Sequence, residues 1–100
     1  MPHAYVIVDM KVTDPEPYKQ YMAAAPAAVK AHGGEYLVRG GAMEVFEGDW
    51  QPARMAVLRF PSMDDARAFY NDENYRAARA MREGATAHFN MVVVEGYQPA

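Results

Sequence analysis

The stretch AYVIVDMKV, residues 4–12, is typical of a β-strand because β-branched and aromatic residues dominate it. Its side chains alternate between two sides of the strand. One side is wholly apolar and is expected to meet helices: Ala4, Val6, Val8, Met10 and Val12. The other side, with Tyr5, Ile7, Asp9 and Lys11, mixes apolar and polar groups. This mixture predicts a surface that is covered and also encloses a cavity.

A helix follows this strand. Thr13 and Glu16 have capping-box spacing, and Asp14 before Pro15 is an alternative start. Apolar residues recur with a helical period as far as Val29. Pro26 lies inside this pattern and predicts a kink, and a glycine pair at 33–34 ends the helix.

Three further strands and a second, broken helix complete the pattern. Strands are predicted over 35–39, continuing over 43–47, then over 53–60 and 87–95. The second helix begins at a Ser62 cap, breaks at residues 71–72, restarts and ends at Gly84. The resulting order β-α-β-β-α-β predicts an α+β, ferredoxin-like domain over residues 1–100, with a four-stranded antiparallel sheet and its helices on one face.

The helix-free face of this sheet predicts a homodimer. The first and last strands are apolar on both sides, at 6–8 and 91–94, which is typical of strands buried on both faces. Soluble monomers rarely expose so large an apolar patch, so a second copy is expected to cover it. Trp50, in a loop, is expected at the edge of a pocket or, preferably, in this dimer contact.

Composition argues against several classes of function. The chain has 10 basic and 13 acidic residues and a formal charge of −3, so no basic surplus supports nucleic-acid binding. The absence of cysteine excludes disulfides and thiolate metal sites and fits a cytoplasmic protein. The N-terminus is interpreted as a strand rather than a signal peptide, and no apolar run is long enough to cross a membrane. No cofactor or metal motif is found.

Seven residues are candidates for chemistry. Arg39, beside two glycines, is a candidate carboxylate clamp or the partner of an acid such as Asp9 or Glu35. A buried Asp9 would have a raised pKa and act as a general base, whereas pairing with Arg39 or Arg59 would keep it ionised; pairing is favoured. His88 is the second catalytic candidate. The other ligand-binding candidates are Tyr5, Tyr75, Arg82 and Asn90.

The chain also resembles a known family. The strings TDPEPYKQY (13–21), GGEYLVRGG (33–41), EVFEGDW (44–50), LRFPSMDDARAFYNDENY (58–75) and VVVEG (92–96) are similar to the bacterial family called domain of unknown function 1330. The resemblance implies a dimeric α/β barrel with a pocket between sheet and helices. It implies no reaction. Arg59 departs from the acid that many relatives carry there.

Three functions remain open at this point. The first is a cofactor-independent isomerase or monooxygenase-like enzyme acting on a small organic acid, with Arg39 as anchor and Asp9 or His88 moving a proton. The second is a non-catalytic dimer that binds an anionic or aromatic ligand or serves in stress. The third, a haem-handling protein, has the least support because no histidine has a convincing axial position.

Overall fold

The computed structural model describes residues 2–98 and contains one four-stranded antiparallel sheet and three helices. In chain order, the elements are β1 (Ala4–Val12), α1 (Pro15–Ala31), β2 (Glu35–Arg39), β3 (Arg54–Phe60), α2 (Met63–Asn71), α3 (Glu73–Met81) and β4 (Thr86–Glu95). The strands lie in the order β2-β3-β1-β4. The predicted ferredoxin-like fold is confirmed.

The core lies between the helices and one face of the sheet. On β1, Ala4, Val6, Val8 and Met10 are buried, as their alternation predicts. Their neighbours on β3 and the inward-facing residues of the helices complete one cluster of buried apolar side chains: Tyr18, Tyr21, Ala25, Ala28, Val29, Ala56, Leu58, Phe60, Ala66, Phe69, Tyr75, Ala78 and Ala85.

The predicted break in the second helix is confirmed at Asp72. This residue ends α2 and begins α3, where its carboxylate accepts a hydrogen bond from the Asn74 N–H at 2.6 Å. Asp72 also forms a hydrogen bond with His32, the C-cap residue of α1, with 2.7 Å between Oδ2 and Nε2. The Ser62 cap is confirmed as well, because its Oγ accepts from the Asp65 N–H. The α2–α3 junction is therefore tied to the end of α1.

The start of α1 differs from the capping-box interpretation. Its N-cap is Asp14 rather than Thr13, with Pro15 as the first helical residue. The backbone N–H groups of Thr13 and Asp14 donate to the Ala85 carbonyl, so the helix start is fixed to the segment before β4. The helix then runs without interruption through Pro26 to Ala31.

The prediction of a strand over 43–47 is wrong: the single chain has no strand there. Residues 40–53 instead form an irregular segment between β2 and β3, which we call the arm. Within the described chain, residues 43–47 pair with no other strand. A strand needs a neighbour to pair its backbone hydrogen bonds, and the hydrogen bond from the Gly40 N–H to the Met55 carbonyl of β3, at 2.8 Å, lies before residues 43–47.

The second face of the sheet carries no helix among the described residues. This helix-free face, called the open face below, includes Ile7 and Asp9 of β1, Val57 of β3, and His88, Asn90, Val92 and Val94 of β4. Val92 and Val94 are 59% and 48% exposed. Between residues 2 and 98, no helix has the length and apolar character to cross a membrane.

Candidate functional site

A broad concave surface lies between α2, α3 and β4. We call it the α3 groove; its volume is about 920 Å³. Its floor is apolar, formed by Phe69, Tyr70, Phe89, Met91 and Val93. Its charged lining residues are Arg67, Arg76, Arg79, Arg82 and Glu83. A groove with this lining, in a chain with net charge −3, concentrates positive charge over an apolar floor.

Arg82 is a part-buried arginine of this groove, and its guanidinium lies over two aromatic rings. Its Cζ lies 3.5 Å from the centre of the Phe89 ring and 5.0 Å from that of Tyr21. Its Nε is buried and has no hydrogen-bond partner among residues 2–98. Buried donors in folded proteins are nearly always paired, so this Nε is an exception, and the two ring contacts hold the guanidinium in place at the groove lining.

Two tyrosine hydroxyls lie beneath Arg82. Tyr21 and Tyr75 are buried, and their hydroxyl oxygens are 2.8 Å apart. Burial raises the pKa of Tyr21, and the neighbouring Tyr75 adds to the effect, so Tyr21 stays protonated at neutral pH. The neutral Tyr21 hydroxyl can donate or accept a hydrogen bond but cannot serve as an anionic base at neutral pH.

A small cavity of about 30 Å³ lies deeper, between α1 and the sheet. Tyr18, Tyr36, Arg39 and Arg54 are among its lining residues. A volume of this size accommodates a water molecule but not an organic acid. The pocket predicted between sheet and helices is therefore very small at this position, and the open α3 groove offers the larger volume.

Arg39 has a different partner from those predicted. Its guanidinium donates to the Met22 carbonyl at 2.6 Å and lies over the Tyr36 ring, 4.7 Å from the ring centre. It contacts neither Asp9 nor Glu35: Arg39 lies opposite Ala56 on the helix side of the sheet, whereas Asp9 projects from the open face. Glu35 instead pairs with Arg59, across β2 and β3.

Asp9 forms a polar cluster on the open face. Its Oδ1 is 3.2 Å from His88 Nε2, and its Oδ2 accepts a hydrogen bond from Trp50 Nε1 at 3.2 Å. The hydrogen bond with His88, supported by that of Trp50, lowers the pKa of Asp9 below its ordinary value. Pairing therefore keeps Asp9 ionised, as favoured, but its partners are His88 and Trp50 rather than arginine; the raised pKa is wrong.

The seven candidates thus lie on two sides of the sheet. Asp9, His88, Asn90 and Tyr5 belong to the open face, where Asn90 is the cross-strand neighbour of Asp9. Arg39, Tyr75 and Arg82 lie on the helix side. Asn90 also lines the α3 groove, because the groove continues around the edge of β4. No single pocket within the described chain brings all seven together.

Sequence reasoning missed three residues of these clusters. Trp50 was assigned to a pocket edge or a dimer contact, but it binds the Asp9 carboxylate of its own chain. Tyr21 and Phe89 were not among the candidates, yet the Arg82 guanidinium lies over both rings. Pairing of Tyr21 with Tyr75, 54 positions apart, leaves no local signal in the sequence.

The described residues contain no group of three or more His, Cys, Asp or Glu side chains arranged to hold a metal ion. The Asp9–His88 and Asp72–His32 pairs each supply only two such groups. A zinc site needs three or four converging ligands, so neither pair is proposed as one.

The family is decided by the match along the whole chain. A family model described as domain of unknown function 1330 matches residues 3–97. The chain belongs to this family. Membership supplies the fold and no activity, since the family's function is unknown. No curated protein matches the sequence significantly.

Solved structures similar to this member of the 1330 family share its fold. One is a protein of unknown function from Rhodopseudomonas palustris, 16% identical, with a TM-score of 0.73 over 98% of this chain and 85% of that one. A dimeric ferredoxin-like protein of unknown function from Thermobifida fusca is 20% identical, with a TM-score of 0.64 over 94% and 91%. A proposed antibiotic biosynthesis monooxygenase from Caulobacter crescentus is 19% identical, with a TM-score of 0.62 over 97% and 92%.

Proposed function

We propose that the protein is a homodimer that binds a small organic anion in the α3 groove, with Arg82 as the residue that contacts the anion. The observation that carries this proposal is the placement of the Arg82 guanidinium, which lines the groove and is held over the Phe89 ring. A carboxylate placed there would accept a charge-assisted hydrogen bond in a partly desolvated site. The aromatic floor would hold the apolar part of the same ligand.

The other groove arginines support the same ligand class. Arg79 lies over the Tyr70 ring at 4.2 Å, so it is stacked yet close to the groove. Arg67 is paired with Asp64 on the exposed side of α2. The remaining charged residues of the groove are three arginines and one acid: Arg76, Arg79, Arg82 and Glu83. A net positive groove attracts an anion before contact and favours it over a neutral compound.

The homodimer rests on the open face. Exposed Val92 and Val94 of β4 lie beside the partly exposed Ile7 and Tyr5 of β1, and Val38 of β2 is 40% exposed. A contiguous apolar sheet face of this kind is rare on a soluble monomer. Similar proteins from Thermobifida fusca and Jannaschia are described as dimeric, in agreement with this arrangement.

A catalytic function is the second candidate, and the Asp9–His88 hydrogen bond favours it. A carboxylate that holds one imidazole nitrogen orients the ring for proton transfer at the other nitrogen. On this account His88 moves the proton, Asp9 positions His88, and the protein is a cofactor-independent isomerase or monooxygenase-like enzyme. The name of the Caulobacter crescentus protein agrees with this class of reaction.

The decisive experiment is a thermal-shift screen with benzoate, other small carboxylates and phenolic acids. We expect at least one acid to raise the melting temperature of the wild type. Arg82→Met keeps an apolar side chain over Phe89 but removes the guanidinium, so affinity should fall about tenfold or more, as for loss of a charge-assisted hydrogen bond. Lys19→Met, which removes an exposed cation on α1 outside the groove lining, is the control and should keep the stabilisation.

Two results would overturn the anion site. One is a screen in which no acid stabilises the wild type. The other is stabilisation that persists unchanged in Arg82→Met. Product formation from a bound acid without added cofactor, abolished in His88→Gln, would favour the catalytic candidate over simple binding.

A further inference from the structure

The arm has the sequence of a strand but lacks a strand to pair with. Residues 43–47, MEVFE, contain β-formers, and within the described chain they are unpaired. Phe46 is 88% exposed, and Met43 and Val45 are also exposed. Such a segment exposes both its backbone groups and large apolar side chains to water, which is a costly arrangement unless another surface covers them.

We infer that the arm of one copy seats in the α3 groove of its partner, along the free edge of β4. This inference rests on the proposed homodimer. The occupant is a second copy of this chain, and the binding mode is the addition of an extended segment to a sheet edge. β4 is an outer strand of the sheet, so its outward backbone groups are available for pairing.

Charge complementarity singles out this groove as the partner of the arm. Residues 40–53 contain three acids, Glu44, Glu47 and Asp49, and no basic residue. The groove presents Arg76, Arg79 and Arg82 against one acid, Glu83. The apolar side chains of the arm suit the aromatic floor of the groove, and the acids of the arm suit its arginines. Complementary potentials of this kind fix the register of a contact.

The groove is placed where a partner's arm can enter it. Its lining includes Asn90 and Val92, on the open face, as well as Met91 and Val93, on the helix side. It therefore wraps around the edge of β4 and opens toward the face proposed to meet the partner. An arm that leaves the partner's open face reaches the groove without crossing the body of the domain.

The arm is anchored on the open face and is long enough to reach the partner. The hydrogen bond from Trp50 to Asp9 holds its C-terminal end against β1. Phe46 lies four positions before Trp50 in the chain, a span of roughly 13 Å when extended. Two sheets packed face to face lie about 10 Å apart. The exposed tip can therefore pass from one sheet to the edge of the other.

The contact would complete the anion site. An open groove of about 920 Å³ is near the upper limit of ligand pockets, roughly 300–1,000 Å³, and a small acid would leave much of it to water. The partner's arm would fill the outer part, with Phe46 over the apolar floor and its acids against Arg76 and Arg79, which leaves Arg82 for the ligand. The dimer, not the single chain, would then hold the enclosed site.

The absence of cysteine permits a direct cross-linking test. The variant carries Phe46→Cys on the arm and Ala80→Cys on the groove lining, both exposed positions where folding should be unaffected. Unlabelled and isotopically heavy chains are unfolded and refolded together, then treated with a short bis-maleimide. We expect mass spectrometry to find links between position 46 of a light chain and position 80 of a heavy chain. The matched control pairs Phe46→Cys with Ala23→Cys, exposed on α1 outside the groove, and should give few links.

The outcomes separate the arm contact from the proposed function. Links only within one chain, or none, in a sample that sediments as a dimer would overturn the arm contact and leave the homodimer standing. A monomer would overturn both. Light–heavy links together with acid binding that is unchanged in Arg82→Met would support the arm contact and overturn the anion site. Reversal of charge in Glu44→Lys/Glu47→Lys should reduce the yield of light–heavy links severalfold.

Discussion

The guanidinium of Arg39 donates a hydrogen bond to the carbonyl of Met22, at 2.6 Å. The reason lies four residues further along α1, where Pro26 has no backbone N–H to donate to Met22. A proline inside a helix thus creates an acceptor on α1, and an arginine at the end of β2 satisfies it. Arg39 acts here as a link between helix and sheet.

We predict that the stability contributed by Arg39 depends on Pro26. Arg39→Met should lower the free energy of unfolding by about 1 kcal/mol, the usual net value of one such hydrogen bond. In a Pro26→Ala background the loss should be clearly smaller, because an alanine N–H at position 26 donates to Met22 itself. Urea denaturation of the wild type, the two single variants and the double variant measures both losses. The stacking of Arg39 on Tyr36 is lost equally in the two backgrounds, so it does not affect the difference between them. Equal losses in the two backgrounds would contradict the pairing.

Close packing at Gly34 gives a second prediction. A Cβ at Gly34 would lie 2.5 Å from Cε1 of Phe60 and 2.8 Å from Cγ1 of Val29, both core side chains. Gly34→Ala should therefore lower the free energy of unfolding by about 1–3 kcal/mol, as overpacking does. Gly41→Ala is the control, since a Cβ there meets nothing within 4 Å, and its effect should stay within about 0.5 kcal/mol. Similar values for the two variants in urea denaturation would show that residue 34 is not tightly packed.

The link between α1 and the α2–α3 junction should depend on pH. The hydrogen bond from His32, aided by the Asn74 N–H, lowers the pKa of Asp72 below its ordinary value of 3.8. The ionised form of Asp72 is therefore more stable in the folded protein than in the unfolded chain. This contribution is complete above the unfolded-state pKa and is lost as the pH falls through the lower, folded-state pKa.

Asp72→Asn tests this link, because asparagine can still cap α3 but carries no charge. The variant should melt below the wild type at neutral pH, and the difference should shrink toward zero as the pH falls below 3.8. Asp64→Asn, which removes one partner of an exposed pair on α2, should change the melting temperature little. If the melting-temperature difference between Asp72→Asn and the wild type grew on acidification, the ionised Asp72 would not be the stabilising form.

The periodic parts of the sequence predicted the fold well. The alternation in residues 4–12 predicted β1 with the observed bounds, and the break at residues 71–72 predicted the junction capped by Asp72. Such features depend on neighbours in the sequence. The segment 43–47 failed because its β-forming residues need a strand edge that its own chain does not offer them.

The candidate site was only partly predictable, because its contacts are distant in sequence. Arg82 and Asn90 were both named as ligand-binding candidates and both line the α3 groove, but nothing local showed that Arg82 would stack on Phe89 or lack a partner for Nε. A pair of Arg39 with Asp9 was one of the expected alternatives, and the two residues lie on opposite sides of the sheet. The register of β2 against β3 shifts between Tyr36 and Val38, and this irregularity places Arg39 on the helix side. One residue of shift exchanges the two faces of a strand.

The central claim is that a second copy covers the open face, and sedimentation velocity tests it most directly. The wild type should sediment as a species of twice 11.2 kDa over a wide range of concentrations. Val92→Asp, a charge placed at an exposed valine of the open face, should sediment at 11.2 kDa while keeping the circular dichroism of the wild type. A wild type that sediments at 11.2 kDa even at the highest concentration would contradict the claim.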